Sequence, residues 1–408
     1  TKYIRGDELM DGGHDSTGGS AALLSIDGLQ LKLRRYSPRR VPNRAILLLH
    51  GGNTSSRLYR EPNGGLVQYL VGQDWDVWLL DWRSSAEIVD PLMDRAPLGG
   101  SVEAERALFT LDRVAELDIP AAVRYIRTVG GVSGELAVVG FCLSGCALSM
   151  SIARQHLRAL DVGNVVLITM GLFFEVPWDG WVKVEDFIIE RLLSSARGFR
   201  GVNAARPKQW PADLENAYSR WPAAWLSSGG EPIDELFRRL TFMYGQPYRR
   251  PKLTRAFEQR LTRGFFGTLH AGLFLHAGQC VRRGYAATFD AQDILDRPRL
   301  CRGLPPSCPS GDLDPLPFRN IRVTLIAGAE DHLWHRDSID LMYEWLRNRG
   351  SPGERDRHRK HVLADYGHLD LFWSDDAKRD VYPLIEAAAG QPALPTGPRI
   401  RGPIQRGR

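Results

Sequence analysis

The amino-acid sequence predicts an α/β fold in which a mostly parallel central sheet carries helices on both faces. Continuous apolar runs, suited to strands buried on both faces, alternate with segments of helical spacing. A short apolar strand, a tight turn and a helix rich in small residues follow one another over residues 134–150. The alternation stops near residue 172 and resumes near residue 318, which indicates a large insertion.

Each predicted element has its own local signal. Asp27-Gly28 between two alternating apolar runs predicts a hairpin over residues 21–36. Continuous apolar runs predict the other strands, and 3.6-residue spacing predicts the helices. These elements are strands over 45–50, 76–80, 136–139, 162–169, 321–327 and 361–364, and helices over 119–129, 338–349 and 377–389.

The same signals divide the chain into five segments. Residues 1–20 are polar and glycine-rich, so we expect an extended or flexible lead-in. Residues 21–171 form the first part of the core and residues 318–389 the second. Residues 172–317 are rich in Trp, Phe, Arg and Pro, and we expect them to form a helical cap or lid. Its large aromatic residues are Trp178, Trp181, Trp210, Trp221, Trp225, Phe265, Phe266 and Phe274. Residues 390–408 form a basic tail rich in Pro, Gly and Arg, expected to lack stable structure.

Composition excludes several classes of function. The 408 residues are 43% hydrophobic and carry a mild net charge of +5, without a basic stripe interleaved with aromatic residues, so we expect no nucleic-acid partner. The N-terminus is polar and no apolar run is long enough to cross a bilayer, so we expect neither a signal peptide nor a transmembrane segment. We therefore expect a cytoplasmic protein.

The cysteines indicate neither zinc nor a disulfide framework. Their number is odd and no CxxC pair occurs, so reduced thiols are the simplest interpretation. No His/Asp cluster has metal-ligand spacing either, and we expect no metal site. The five cysteines are Cys142, Cys146, Cys280, Cys301 and Cys308.

The turn within residues 134–150 carries the sequence Gly140-Phe141-Cys142-Leu143-Ser144-Gly145. It resembles the nucleophile elbow of α/β-hydrolases, G-x-nucleophile-x-G, with Cys142 where serine usually stands. The helix that begins directly behind the turn favours a thiolate and, later, an oxyanion. Register argues against Ser144 as nucleophile, because cysteines rather than glycines would flank it. On this motif alone, a buried structural cysteine is the plainer alternative.

Two further residues follow predicted strands in the chain order of nucleophile, acid and histidine. His368 can take the thiol proton and later return it to a leaving group. Asp331 would hold the imidazole in the right tautomer and stabilise the imidazolium. Glu330 is an adjacent competitor for the acid role, and Asp370 and His332 are weaker competitors for acid and base.

Backbone N–H groups would stabilise the oxyanion. We expect these donors from Leu143 and from Gly52 or Asn53, because a glycine-rich loop follows the first central strand. An ordinary strand-to-helix turn is the alternative for this loop.

Three other titratable residues are expected to be structural. Asp81 ends a strand, but it precedes the nucleophile in the chain, which does not fit the order of the triad. His270 and His276 lie on a helical stretch, and single histidines of this kind are more often structural than catalytic.

Three motifs together resemble a known family: DVWLLDWRSS at residues 76–85, the cysteine elbow, and YGHLDLFW followed by DVYP at residues 366–383. They are similar to the α/β-hydrolase domain linked to GMC-type (cholesterol-oxidase-like) oxidoreductases. The histidine motif is also similar to that of acid lipases, and the elbow to the lipase-like box of polyhydroxyalkanoate synthases. The resemblance implies an α/β-hydrolase fold with Cys142 as nucleophile, Asp331 as acid and His368 as base. It also implies a GMC-type oxidoreductase partner, which would be separate because this chain has no GxGxxG flavin fingerprint.

These observations predict a cysteine-dependent acyl-transfer enzyme without a cofactor. Its substrate would be a small ester or thioester, free or bound to a carrier or CoA, with a hydrophobic acyl group suggested by the aromatic cap. The acyl group would pass to an acceptor or to water. Two alternatives stay open at this point: a non-catalytic scaffold, and a lyase or isomerase that uses the His–Asp pair without a covalent step.

Overall fold

The computed structural model describes residues 3–4, 20–38, 43–159, 161–185, 199–221, 235–254, 257–258, 265–289, 316–349 and 356–392. Its strands, numbered in chain order, are β1 (Tyr3–Ile4), β2 (Ser20–Ile26), β3 (Leu29–Tyr36), β4 (Arg44–Leu49), β5 (Asp76–Asp81), β6 (Glu135–Phe141), β7 (Asn164–Ile168), β8 (Gly201–Val202), β9 (Leu269–His270), β10 (Arg322–Gly328) and β11 (Arg359–Leu363).

Nine of these strands form one sheet in the order β1-β2-β3-β5-β4-β6-β7-β10-β11. The pairs from β1 to β5 are antiparallel, and every pair from β5 across to β11 is parallel. The predicted α/β class with a mostly parallel sheet is therefore confirmed. Strands β8 and β9 form a separate antiparallel pair.

The central strands owe their position to their composition. All residues of β5 and β7 are buried, as are all but the first of β4, β6 and β10. A strand whose residues are buried on both of its faces is typical of a sheet that is covered on both sides. Because parallel strands end at the same edge of a sheet, the loops after β4, β6 and β10 meet there.

The α-helices surround this sheet, and a π-helical segment, Val114–Asp118, joins the fourth to the fifth. Short 3₁₀ turns cover Ser56–Tyr59, Leu98–Gly100, Pro207–Gln209, Arg250–Lys252 and Leu316–Phe318. The helices are α1 (Gly65–Gly72), α2 (Ala86–Met93), α3 (Val102–Leu108), α4 (Leu111–Arg113), α5 (Ile119–Thr128), α6 (Leu143–Ala153), α7 (Trp178–Glu185), α8 (Ala212–Arg220), α9 (Glu235–Met243), α10 (Ala271–Arg283), α11 (Asp337–Arg349), α12 (Asp370–Trp373), α13 (Ala377–Asp380) and α14 (Tyr382–Ala389).

One local expectation needs correction. The predicted single helix over 377–389 is two helices, α13 and α14, separated at Val381. Pro383 has no N–H to donate to the preceding turn, so a continuous helix is interrupted there. Within the expected lead-in, Tyr3–Ile4 pairs with β2, and Tyr3 lies opposite Leu24. The tail beyond residue 392 lies outside the described residues.

We call the described residues between β7 and β10 the insertion. Its helices are α7 to α10, and α10 packs against α3 and α4 of the core. Trp210, Tyr218 and Trp221 all contact the ring of Phe242, so these aromatic residues form a core within the insertion. Trp225 lies outside the described residues. Across the part of the chain that the structure describes, no helix is both long and apolar enough to cross a membrane.

Candidate active site

Cys142 stands between the end of β6 and the start of α6, in a strained backbone conformation. Its φ of 58° and ψ of −133° lie in a region that non-glycine residues rarely adopt. The turn is so tight that a Cβ built on Gly140 would lie only 2.7 Å from the Cα of Gly145 and would clash with it. The small residues are therefore what allows the strand and helix to meet so sharply, with Cys142 at the tip.

Ser144, the alternative nucleophile, has a different environment. It is fully buried, and its hydroxyl donates to the carbonyl oxygen of Leu49 at 2.7 Å. The same hydroxyl accepts from the N–H of Phe141 at 3.0 Å. Ser144 thus ties the elbow to β4, while Cys142 lines a cavity.

The structure brings Asp331 and His368 to the same edge of the sheet as Cys142. Nδ1 of His368 lies 2.7 Å from Oδ2 of Asp331. The imidazole also lies near enough to the Cys142 side chain for the charge of that side chain to raise its pKa, and both residues line the same cavity. The other oxygen of Asp331 accepts the N–H groups of Leu333 and Trp334 at 2.8 and 3.0 Å. The three predicted side chains thus lie together at one edge of the sheet.

Electrostatics favour a protonated imidazole in this arrangement. Burial by itself would lower the pKa of His368, but the negative charges of Asp331 and Cys142 outweigh it and raise the pKa to about 10. A histidine beside a cysteine can take the thiol proton as the sulfur attacks. The geometry therefore suits nucleophilic attack by Cys142.

The competitors for the acid and base roles lie elsewhere. The side chains of Glu330 and His332 are about half exposed and face each other at 4.0 Å. Asp370 is buried, but its oxygens accept the backbone N–H groups of Gly367 at 2.8 Å and Arg249 at 2.9 Å. Asp370 therefore shapes the loop that carries His368.

The predicted oxyanion donors surround the elbow. Leu143 is the first residue of α6, so its N–H has no partner within the helix. Gly52 lines the same cavity, and a Cβ built on it would lie 3.2 Å from Cδ1 of Leu143. Asn53 also lines the cavity, with a left-handed φ of 45°. Gly52, Asn53 and Leu143 therefore line the same cavity as Cys142.

A cavity lies between the elbow and the insertion. It measures about 1060 Å³ including its open mouth, and most of its lining is apolar. From the core it is lined by the elbow, the loop after β4, Trp334 and His368. The insertion contributes residues of α7, α9 and α10. Of the aromatic residues considered for an acyl pocket, Phe266 and Phe274 line it.

Solved structures share this architecture. An open form of a lipase is similar with a TM-score of 0.57 at 12% identity, covering 92% of this chain and 100% of the lipase chain. A soluble variant of monoglyceride lipase from Saccharomyces cerevisiae, in complex with a substrate analogue, is similar with a TM-score of 0.50 at 10% identity, covering 94% and 98%. This chain has the α/β-hydrolase fold. No family model matches the sequence, and no curated protein matches it significantly.

Within this α/β-hydrolase fold, Asp81 holds backbone structure. It accepts the N–H of Ser56 at 2.7 Å and the hydroxyl of Ser85 at 2.9 Å, and it is fully buried. His50 lies nearby, with Nε2 at 3.7 Å from Asp81. Burial lowers the pKa of His50 despite the charge of Asp81.

The two histidines of the insertion join it to the core. Nε2 of His270 lies 3.0 Å from a carboxylate oxygen of Glu105 on α3. Nδ1 of His276 accepts the N–H of Leu111 at 3.0 Å. Neither histidine lines the cavity. Among the described residues, no group of three or more His, Cys, Asp or Glu side chains could hold a metal ion.

The other described cysteines differ from Cys142. Cys146 and Cys280 are free thiols that are fully buried. Burial raises the pKa of Cys280 to about 12 and that of Cys146 well above its usual value. Cys301 and Cys308 lie outside the described residues.

One contact in the site has no counterpart in the sequence-based prediction. Nε1 of Trp334 lies 3.1 Å from Sγ of Cys142. Trp334 follows Asp331 by three residues in a loop, where no periodicity or motif marks it. Its proximity to the candidate acid is the one signal that could have drawn attention to it.

Proposed function

We propose that this protein is an enzyme of acyl transfer, in which Cys142 attacks the carbonyl carbon of an ester or thioester. The observation that carries the proposal is that Cys142 and the His368–Asp331 pair lie at one largely apolar cavity, which Cys142 and His368 both line. Two of the similar solved structures are a lipase and a monoglyceride lipase, and this likeness favours an acyl substrate.

The reaction would proceed in two halves. The proton of Cys142 moves to His368, and Sγ forms a bond to the carbonyl carbon. The carbonyl oxygen becomes an oxyanion that accepts N–H groups of Leu143 and of Gly52 or Asn53. The bond to the leaving alkoxide or thiolate then breaks, and His368 returns the proton to that group. A thioester on Cys142 remains.

In the second half, an acceptor alcohol, amine, thiol or water gives its proton to His368 and attacks the thioester. The C–Sγ bond breaks, and the sulfur leaves as a thiolate paired with the imidazolium. Asp331 stabilises the imidazolium in both halves through its contact with Nδ1. A thioester is reactive towards several acceptors, so transferase and hydrolase outcomes share one intermediate.

The cavity supports a hydrophobic acyl group. Its walls from α9 and α10 present Leu240, Met243, Phe274 and Val281, and such a surface is stabilised by burying hydrocarbon. A series of p-nitrophenyl esters from acetyl to palmitoyl tests this directly. We expect kcat/KM to rise towards medium or long chains, whereas faster turnover of the acetyl ester would contradict a hydrophobic acyl pocket.

The decisive experiment is intact-mass spectrometry after incubation with acyl thioesters and p-nitrophenyl esters. Wild type should gain the mass of one acyl group, Cys142→Ala should gain none, and the matched control Cys280→Ala should behave as wild type. Adding alcohols, amines or thiols then separates transfer from hydrolysis. A folded wild type that forms no adduct and turns over no donor, with Cys142 inert to iodoacetamide, would indicate a scaffold. Activity retained in Cys142→Ala would indicate a non-covalent lyase or isomerase.

The proposals about the acyl donor and the partner rest on the sequence resemblance and not on the geometry of the site. We propose a carrier- or CoA-bound acyl donor as one substrate form, and a GMC-type oxidoreductase as a functional partner. Mass spectrometry with acyl-CoA donors tests the first, and activity measured with and without the oxidoreductase tests the second.

A further inference from the structure

The indole of Trp334 makes a polar contact with the sulfur of the candidate nucleophile. Its Nε1 lies 3.1 Å from Sγ of Cys142, and the residue is 8% exposed. An indole N–H can only donate a hydrogen bond, so the sulfur is the acceptor. Such a bond is much stronger when the acceptor is charged, so it favours a thiolate over a thiol.

The indole is held in place from two sides. The backbone N–H of Trp334 donates to Oδ1 of Asp331 at 3.0 Å, and the ring packs edge-on against Phe174 with centroids 5.5 Å apart. Oδ2 of the same carboxylate binds His368. Asp331 therefore contacts both Trp334 and His368, one through each carboxylate oxygen.

We infer that the indole N–H of Trp334 is a catalytic donor, which stabilises the sulfur of Cys142 as a thiolate before attack and again when the thiolate leaves the acyl group. The inference rests on the proposed function and deepens it. In the second half-reaction the C–Sγ bond breaks and its electron pair stays on sulfur. At that moment the sulfur accepts both the imidazolium N–H of His368 and the indole N–H. No further reactant is needed.

A packing role is the competing explanation, since Trp334 also lines the cavity. The two explanations differ in the pH dependence of thiolate reactivity. A residue that only fills the wall would alter access to Cys142 at every pH. A hydrogen-bond donor would alter the fraction of reactive thiolate, and so the midpoint of the pH profile.

The test measures the rate of iodoacetamide alkylation of the Cys142 peptide against pH by mass spectrometry, in the full chain. In Trp334→Phe we expect the midpoint to rise by about one pH unit, with alkylation about tenfold slower below it and an unchanged plateau at high pH. Replacing Trp334 by benzothienylalanine, which keeps the ring size and lacks the N–H, should give the same shift. That analogue covers the case in which Trp334→Phe fails to fold.

Trp210→Phe is the matched control. Its indole N–H also donates from a buried position, but to the carbonyl oxygen of Asn203 at 2.8 Å within the insertion. This variant should keep the wild-type midpoint. An unchanged midpoint in both Trp334 variants, or a plateau change alone, would overturn the inference.

A second measurement follows decay of the acyl-enzyme, isolated after a single turnover. We expect slower decay in Trp334→Phe by about tenfold, because the departing thiolate loses one donor. A shifted alkylation midpoint without any acyl-enzyme in wild type would refute the proposed function while retaining the effect on the thiolate. Decay at the wild-type rate would refute the role of Trp334 in the second half-reaction.

Discussion

Replacing Glu105 by Gln should weaken the contacts that hold the insertion on the core and so lower the stability of the protein. Glu105 lies on α3, is fully buried, and accepts two hydrogen bonds from Arg200, each at 2.7 Å. It also binds His270 at 3.0 Å and the N–H of Leu98 at 2.7 Å. Arg200 and His270 belong to the insertion, and Leu269, next to His270, lines the cavity. One carboxylate thus holds a wall of the candidate active site.

The lowered pKa of Glu105 gives the size of its contribution to the free energy of unfolding. Burial would raise the pKa of Glu105, but hydrogen bonds from His270 and Arg200 lower it from 4.5 to about 2. A lowered pKa means that the charged carboxylate stabilises the folded state, at about 1.4 kcal/mol per pH unit. The contribution is therefore up to about 3 kcal/mol above pH 4.5 and is lost as the pH falls through about 2. Glutamine removes the charge at every pH.

Urea unfolding of wild type and Glu105→Gln at pH 7 and pH 3 checks the reasoning. The difference in free energy of unfolding should be about 3 kcal/mol at pH 7 and roughly half that at pH 3, since the wild-type carboxylate loses its advantage progressively. Glu103→Gln, exposed on the same helix, should change stability by under about 0.5 kcal/mol. A difference that stays constant with pH, or one below about 1 kcal/mol at pH 7, would refute the assigned role.

Three further substitutions probe the elbow, the loop that carries His368 and the candidate acid. In Gly145→Ala, the new Cβ would lie 2.6 Å from the carbonyl oxygen of Met170, so thermal unfolding should show a loss of about 1–3 kcal/mol and ester hydrolysis should fall with it. Burial raises the pKa of Asp370 to about 6, so wild-type stability should fall as the pH rises from 3.8 to about 6 and the carboxyl group loses its proton. The urea midpoint of Asp370→Asn should not show this decline. Asp331→Asn keeps the shape of the side chain beside His368 but removes its charge, so acylation measured by stopped flow should slow by roughly 10³–10⁴-fold. A decrease in rate of less than tenfold would contradict the triad.

The sequence predicted the central sheet well because its strands have no polar face. A short run such as β7, in which every residue is buried, is typical of a central strand in a sheet covered on both faces. The hairpin of β2 and β3 has a specific turn signal, Asp27-Gly28. The break at Val381 was missed because the apolar spacing continues across it, although Pro383 prevents a continuous helix. The insertion was predicted only as a helical region. Its helices pack on one another through aromatic side chains, so its apolar residues do not recur at a simple helical spacing.

The candidate triad was predictable for a related reason. Cys142, Asp331 and His368 each follow a strand, and parallel strands bring such loops to one edge. Sequence alone left Glu330 beside Asp331 as a competitor, since both follow β10. The path of the loop decides between them by turning Asp331 towards His368 and leaving Glu330 half exposed.

The same loop path explains why Trp334 escaped prediction and why it matters. Asp331 accepts the N–H groups of Leu333 and Trp334, so the chain folds back over the carboxylate that it carries. That turn directs the indole to Cys142 while the opposite carboxylate oxygen directs His368 there. Asp331 thus contacts both of the residues that we propose as donors to the sulfur. It follows that Asp331→Asn should disturb the alkylation profile of Cys142 more than Trp334→Phe does, because it weakens two contacts where the tryptophan variant removes one.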